Sequence, residues 1–149
     1  MNEPTGARQI LVHGLAFMGA GLAWGLVVPH TPYPRLAMGA HIQLTGSGLL
    51  FLVAALLLLT VPHSVGRKSI AVMQLAAWLT WLMALSEVAN SWWGTNQTLP
   101  IAASQAGATG GLPWQETVVK VAHMGAATAL LVAWVLLIIG FVRQAPQTK

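Results

Sequence analysis

Long apolar runs, separated by short polar stretches, dominate this chain. Four apolar segments stand out, at about residues 10–28, 36–61, 69–90 and 115–142. Each reaches the roughly 20 residues that an α-helix needs to cross about 30 Å of hydrocarbon. Barrel strands are about 10 residues long and alternate in polarity, so they do not fit this pattern. We therefore predict an all-α integral membrane protein in which residues 1–149 form a single four-helix transmembrane bundle.

The composition agrees with lipid as the main solvent of the chain. Of the 149 residues, 56% are hydrophobic and 7% are charged, and the mean hydropathy is +0.68. Soluble domains carry about a quarter charged residues. The chain has no cysteine, which excludes disulfides, thiolate metal sites and covalently attached c-type haem. The lack of cysteine does not exclude a haem that is held only by histidine.

The basic residues beside the helices predict the orientation of the bundle. Lys and Arg are enriched in short cytoplasmic loops, so both termini are expected in the cytoplasm of a multi-pass protein of the cell inner membrane. The net charge of +4 is spread along the chain, and we expect no nucleic-acid partner. The residues on the predicted inner side are Arg8, Arg67, Lys68, Arg143 and Lys149, against Arg35 in the first loop.

Polar residues converge at one predicted level of the membrane. In this orientation three helices carry polar side chains in their outer halves, whereas the inner halves are almost purely apolar. Ionisable groups at membrane depth cost a few kcal/mol or more, so they normally pair or face a cavity. The convergence predicts a site. Its candidate members are His41, Thr45 and Ser47 in the second segment, Glu87 and Asn90 in the third, and Glu116, Lys120 and His123 in the fourth.

Several of these residues also have a purely structural interpretation. Glu116 and Lys120 are four residues apart, which is typical of an interfacial helix pair. Glu87 is compatible with headgroup level, Asn90 with a bridge between helices, and His123 with packing as much as with a site. Three further histidines lie near helix ends, where a histidine costs little, and we expect no site role for them: His13, His30 and His63.

His41 is the strongest single candidate in the chain. Imidazole is the usual axial ligand of haem iron. Glycines at positions 39, 46 and 48 leave room for something flat and large beside the helix. A close contact between two helices explains the same glycines equally well.

The connection at about residues 91–113 is long and rich in Gly, Ala, Thr and Asn. Long loops in compact proteins are usually functional or disordered. Trp92, Trp93 and Trp114 lie at its ends, as is typical of anchoring at the membrane interface. The sequence leaves open whether the segment is a structured cap over a site or a plain connector.

Four short motifs carry a resemblance to a known family. They are Pro34-Arg35-Leu-Ala-Met-Gly-Ala40-His41, Ala89-Asn90, Leu99-Pro100-Ile101-Ala102-Ala103 and Gln115-Glu116. In this order and spacing they resemble the bacterial hydroxylaminobenzene mutases, small membrane proteins that convert an arylhydroxylamine to the 2-aminophenol. More distantly, His13-Gly14 and the frame formed by Ala40-His41, Gly48 and Ala89-Asn90 resemble styrene oxide isomerase. That enzyme is a trimer of four-helix protomers and holds haem b through a histidine of its second helix.

The resemblance implies a haem b in which His41 is the metal ligand and Gly48 belongs to the cofactor frame. Asn90 matches an asparagine that both groups have, whereas Ser47 stands where both have an asparagine. The isomerase's helix-three aspartate falls on Ser86 and its catalytic tyrosine falls near Gly94. Because neither residue supplies that chemistry, the resemblance favours the mutase.

The implied reaction is an intramolecular transfer of a hydroxyl group. The N–O bond is activated by protonation or by a Lewis-acid iron, and the oxygen moves to the ortho carbon. We expect Glu87 to shuttle the proton or stabilise the cation and Asn90 to orient the hydroxyl, with Thr45 and Ser47 as further hydroxyl groups of the site. The expected partners are a small aromatic substrate, the lipid bilayer and two further copies in a homotrimer.

Two other functions stay open from the sequence. One is an epoxide isomerase of the same fold, which would also use haem iron as a Lewis acid. The other is a non-catalytic haem- or quinone-binding subunit of a redox complex, in which His41 and His123 would hold a haem between them.

Overall fold

The computed structural model describes residues 3–143, and all regular structure in that range is helical. Four of its five α-helices (α1, α2, α3 and α5) are long and apolar enough to cross a membrane. The predicted all-α class with four membrane spans is confirmed. The orientation stays a prediction, and Lys149, one of the residues on which it rests, lies outside the described range. The elements are α1 Glu3–Val27, a 3₁₀ turn Val28–His30, α2 Pro34–Thr60, α3 Arg67–Trp93, α4 Pro100–Ala106 and α5 Pro113–Val142.

Proline and glycine set most of the helix boundaries. Pro34, Pro100 and Pro113 begin α2, α4 and α5, because proline's fixed φ suits the first helical position and its missing N–H is not needed there. Gly94 ends α3 with φ +65°, and Gly107 ends α4 with φ +69°. This left-handed conformation is cheap only for glycine, so both helices end where a glycine follows.

Helices α1 and α2 pack closely through small residues. A Cβ atom added at Gly14 would lie 2.8 Å from the backbone nitrogen of Leu52, and one added at Gly48 would lie 2.8 Å from that of Met18. Real Cβ atoms do not approach backbone atoms so closely, so any larger residue would push the two helices apart. Such contacts between small residues are typical of helix association in lipid, where burial of apolar surface gives little driving force.

Stacked aromatic rings join α1, α2 and α3. Phe17 of α1 is fully buried and stacks on Trp81 of α3, with ring centroids 3.9 Å apart. Phe17 also stacks with Phe51 of α2, with ring centroids 5.6 Å apart. Helix α5 packs mainly on α3. At its far end Ser64 donates to the carbonyl oxygen of Gly140, with its backbone N–H and its hydroxyl both 2.9 Å away. The helices are thereby held in a fixed order, which determines the neighbours of each polar side chain.

Candidate functional site

The connection between α3 and α5 is an ordered segment that contains α4. The Oδ1 atom of Asn90 accepts hydrogen bonds from the backbone N–H of Thr95 at 2.8 Å and from its hydroxyl at 2.7 Å. Arg35 of α2 donates from Nε to Oε1 of Gln105 in α4 at 2.7 Å. Of the two alternatives that the sequence left open, a structured segment is therefore what the structure shows.

Glu116 holds this segment through backbone amides. Its Oε1 accepts from the N–H groups of Asn96 at 2.9 Å and Gly111 at 3.1 Å, and its Oε2 accepts from that of Gln97 at 3.1 Å. The residue is 4% exposed. Lys120 is exposed, and no ion pair joins it to Glu116 in the described part of the chain. Glu116 therefore binds the loop instead of forming the helix pair that its spacing suggested.

Replacing this carboxylate should loosen the loop. Glu116→Gln removes the charge and places an amide NH₂ against at least one backbone N–H, so we expect a loss of about 2 kcal/mol of stability, since a hydrogen bond to a charged group contributes about 1.5–3 kcal/mol. The measurement is the thermal unfolding midpoint in detergent, together with the rate of limited proteolysis within residues 94–112. Lys120→Gln, which removes a charge at an exposed position of the same helix, is the control. An unchanged midpoint and an unchanged cleavage rate would show that Glu116 does not hold the loop.

A buried acid and a histidine join α3 to α5. The Oε1 atom of Glu87 lies 2.7 Å from Nε2 of His123, and the other ring nitrogen of His123 lies 2.8 Å from the carbonyl oxygen of Val119. Glu87 is 5% exposed. Among the side chains that the structure describes, this is the one contact between an acidic and a basic group that is short enough for an ion pair. The sequence placed the two residues at a common depth but gave no sign that they touch.

Two buried polar atoms here have no hydrogen-bond partner, one on Glu87 itself and one on the neighbouring Asn90. Glu87 Oε2 and Asn90 Nδ2 are both buried, and no described atom hydrogen-bonds to them. The two residues are three apart on α3 and therefore share a face. An unpaired buried polar group costs about 1–3 kcal/mol, so a buried acceptor and a buried donor on one face are suited to a ligand that carries both complements. On the opposing helix, a Cβ added at Gly39 would lie 3.8 Å from Glu87 Oε2, so the helix offers no side chain there.

His41 faces α1 and has the ring state that metal binding requires. Its Nδ1 atom lies 2.8 Å from the carbonyl oxygen of Gly21. A carbonyl only accepts, so this hydrogen bond places a ring hydrogen on Nδ1, and in the neutral ring the lone pair is then on Nε2. No described residue bonds to Nε2 of His41, and this atom is not fully buried. Metal-binding histidines usually donate from their second ring nitrogen in this way.

The other histidines that make ring contacts do not offer such a nitrogen. His13 accepts at Nδ1 from the indole N–H of Trp81 at 3.2 Å, so its hydrogen is on Nε2. His63 donates from Nε2 to the carbonyl oxygen of Leu58 at 3.0 Å and accepts at Nδ1 from the N–H of Val65 at 3.2 Å. Both nitrogens of His123 are engaged as well. A haem held between His41 and His123 is therefore not available in this arrangement.

The remaining predicted residues of α2 bond within their own helix or pack against α1. Thr45 donates its hydroxyl to the carbonyl oxygen of His41 at 2.9 Å. Ser47 is buried and accepts from Gln43 Nε2 at 2.8 Å. Gly48 packs against the backbone of α1, as described for the helix contact above, so of the two interpretations of that glycine the structure shows the contact.

Most of the predicted site residues thus form two groups on opposite edges of α2. His41 and Thr45 lie on the edge that meets α1, with Gly21 opposite both of them. Gly39 lies roughly 200° from His41 around the helix, because successive residues are about 100° apart. It faces Glu87, which is grouped with Asn90 and His123. The sequence predicts one common level for these residues, and the structure adds their separation around the helix.

Comparisons with known proteins place the chain in a family. The model of the styrene oxide isomerase family matches residues 6–142. Hydroxylaminobenzene mutase HabA of Ectopseudomonas oleovorans is 28% identical over 136 residues, which cover 90% of this chain and 97% of that protein. No solved structure matches the chain significantly. Both resemblances predicted from the motifs are confirmed, and the chain belongs to the styrene oxide isomerase family.

Proposed function

We propose that this protein is a membrane isomerase that rearranges an arylhydroxylamine to the corresponding 2-aminophenol. The coarser statement, a membrane isomerase, follows from the family and from the four apolar helices. The assignment of an arylhydroxylamine as the substrate is supported by two buried atoms on α3 that have no hydrogen-bond partner, Glu87 Oε2 and Asn90 Nδ2. A hydroxylamine offers a hydrogen-bond donor and an acceptor on adjacent atoms, as those two atoms require.

The proposed reaction moves no electrons into or out of the substrate. The N–O bond breaks as its oxygen leaves, a C–O bond forms at the ortho carbon, the hydrogen of that carbon is lost as a proton, and the nitrogen gains a proton. Asn90 Nδ2 donates to the hydroxylamine oxygen and orients it. Glu87 Oε2 accepts the hydroxyl hydrogen in the bound substrate and exchanges protons with it during the rearrangement. Both groups are buried, so bulk water does not compete for the cationic ring.

Haem b is the proposed cofactor, and the residues present fit it at one position. His41 would hold the iron, because its neutral ring has the lone pair on Nε2, the hydrogen on Nδ1 and a carbonyl acceptor that fixes the ring. When bound, ferric haem would supply a Lewis acid that weakens the N–O bond. Because His41 and Glu87 lie on opposite edges of α2, a substrate in contact with both the iron and Glu87 would lie between two copies of the proposed homotrimer. The carbonyl oxygen of Gly21 fixes the imidazole of His41 from the α1 side, whereas Thr45 bonds only to the backbone carbonyl of His41. The homotrimer and the inner-membrane location belong to the same proposal, and they rest on the family resemblance.

An epoxide isomerase is the second candidate, and one contact favours it. The family resemblance places the catalytic tyrosine near Gly94, where this chain has no side chain. Tyr33, the chain's one tyrosine, fills that space: a Cβ at Gly94 would lie 2.7 Å from its ring and 3.0 Å from its hydroxyl oxygen. A phenol is therefore present beside position 94, although it comes from the residue before α2.

Incubation with two substrates separates the candidates. Purified protein should convert phenylhydroxylamine to 2-aminophenol, identified by chromatography and mass spectrometry, and should leave styrene oxide unchanged. Protein-free detergent with the same haem content is the control for uncatalysed rearrangement. Conversion of styrene oxide alone would replace the mutase by the epoxide isomerase and make Tyr33 the next residue to test. Conversion of neither substrate, by protein that carries haem, would contradict both enzymatic functions.

A further inference from the structure

The pair formed by Glu87 and His123 holds one proton between its two facing atoms. Because the carbonyl of Val119 can only accept, the hydrogen bond from Nδ1 places one ring hydrogen there. The 2.7 Å contact between Nε2 and Oε1 then needs one more hydrogen, on either atom. The pair is therefore a carboxylic acid with a neutral imidazole or a carboxylate with an imidazolium. Both forms are neutral overall, which suits a pair among membrane helices.

We propose that His123 is the proton acceptor through which Glu87 moves the substrate's last proton from the ortho carbon to the nitrogen. The inference rests on the proposed function, because it assigns one step of that reaction. The unpaired Oε2 of Glu87 is the atom that we assign to the substrate, and its Oε1 contacts Nε2 of His123. His123 is a positioning residue in this scheme, since it acts through Glu87 and is not placed against the substrate.

The step balances without any other reactant. When the oxygen has reached the ortho carbon, the C–H bond there breaks and its proton goes to Glu87 Oε2, while the proton on Oε1 passes to Nε2 of His123. In the second half, the proton on Oε2 goes to the substrate nitrogen and the proton on Nε2 returns to Oε1. The product is the aromatic aminophenol, and the pair regains its starting state. A carboxylate with no proton acceptor behind it would have to hold the incoming proton alone.

The surroundings of the pair leave its protonation to these two residues. On α2 the facing residue is Gly39, which has no side chain, and on α3 it is Asn90, which does not titrate. On α5 the ionisable residues before His123 are Glu116, which binds the loop amides, and Lys120, which is exposed. Neither forms an ion pair with Glu87 or His123 in the described part of the chain.

A deuterium isotope effect tests the step itself. In His123→Gln the side chain can still reach Glu87 as a donor but cannot take up a proton. We expect kcat for phenylhydroxylamine to fall about 100-fold, in the range of lost acid–base catalysis, with KM within about threefold of wild type. The isotope effect on kcat with ring-deuterated substrate should rise from near unity, because C–H cleavage becomes limiting. His63→Gln, at a histidine that bonds only to backbone groups, should change neither quantity. A full rate, or a lowered rate with no isotope effect, would overturn the proposal.

Nitrogen NMR shows which ring nitrogen of His123 carries the hydrogen, without any reaction. In wild-type protein labelled with ¹⁵N-histidine, the His123 signal, assigned by its loss in His123→Gln, should show a hydrogen on Nδ1. A ring that carries its one hydrogen on Nε2 would overturn the proposal even if the enzyme is active. Failure to convert phenylhydroxylamine would instead contradict the proposed function without changing the assigned position of the His123 hydrogen.

If His123→Gln does not fold, His123→Asn replaces it. If neither variant folds, an amide-detected spectrum of wild type identifies the His123 signal by its contact to Val119.

Discussion

His41→Ala should give a protein that is folded, colourless and inactive. The wild type, expressed with adequate haem, should purify with a Soret band, because the Nε2 lone pair of His41 is free while the hydrogen bond to Gly21 fixes its ring. Removal of the only axial ligand assigned to the chain removes the cofactor. The fold should survive, because the close contact of α1 with α2 depends on Gly14 and Gly48 and not on the imidazole. The measurements are the absorption spectrum, the elution volume in detergent and the conversion of phenylhydroxylamine.

A matched histidine variant separates ligand loss from a general effect. His123→Gln should keep the Soret band, since both nitrogens of His123 are bonded to other groups and neither is free for iron. Added imidazole should restore part of the colour to His41→Ala by filling the vacated ligand position. If His41→Ala kept both its Soret band and its turnover, His41 would be a packing residue whose polar atom is satisfied by Gly21.

The membrane spans could be predicted because their length is set by the bilayer. Four apolar runs are long enough to cross the bilayer as helices, so the number of spans and their helical type follow directly. The ends were harder to place. Helix α1 begins at Glu3 rather than near residue 10, and α3 continues to Trp93 rather than ending near residue 90. Apolar character falls where a helix reaches the interface, but the helix itself continues until a proline or glycine ends it, as Gly94 ends α3.

The depth of the polar residues was readable from the chain, whereas their neighbours around each helix were not. Position along a helix follows from 1.5 Å per residue, but the neighbour of a given face depends on the order of helices in the bundle. His41 and Glu87 were expected in one site for this reason. They lie on opposite edges of α2, because α1 packs on one edge and α3 brings Glu87 to Gly39 on the other.

Glu116 shows a second limit of local patterns. Its spacing from Lys120 is typical of a helix pair, and the first turn of a helix also favours an acid. The structure instead gives it amides from both ends of the preceding segment, Asn96, Gln97 and Gly111. Almost every residue has a backbone N–H group, so the sequence does not indicate which of these groups a carboxylate will bind.

Glu87→Gln should lower the turnover of phenylhydroxylamine about 100-fold or more, in the range of lost acid–base catalysis, with the Soret band and the elution volume unchanged. The amide keeps the shape of the acid, and its NH₂ group can donate to Nε2 of His123 in place of the shared proton. Oε2 then belongs to a group that cannot take a proton from the ortho carbon. The measurement is kcat and KM from initial rates, with the absorption spectrum of the same preparation.

The other buried acid provides the opposite expectation. Glu116 and Glu87 are 4% and 5% exposed, so glutamine at either position removes one buried carboxylate. Glu116→Gln should lower the unfolding midpoint and retain turnover well below that temperature, because its oxygens bind only loop amides. Glu87→Gln should lower turnover with little change in the midpoint, because its second oxygen has no partner to lose. Equal effects of the two variants on both quantities, or an unchanged rate in Glu87→Gln, would show that the contact of Glu87 with His123 only joins α3 to α5.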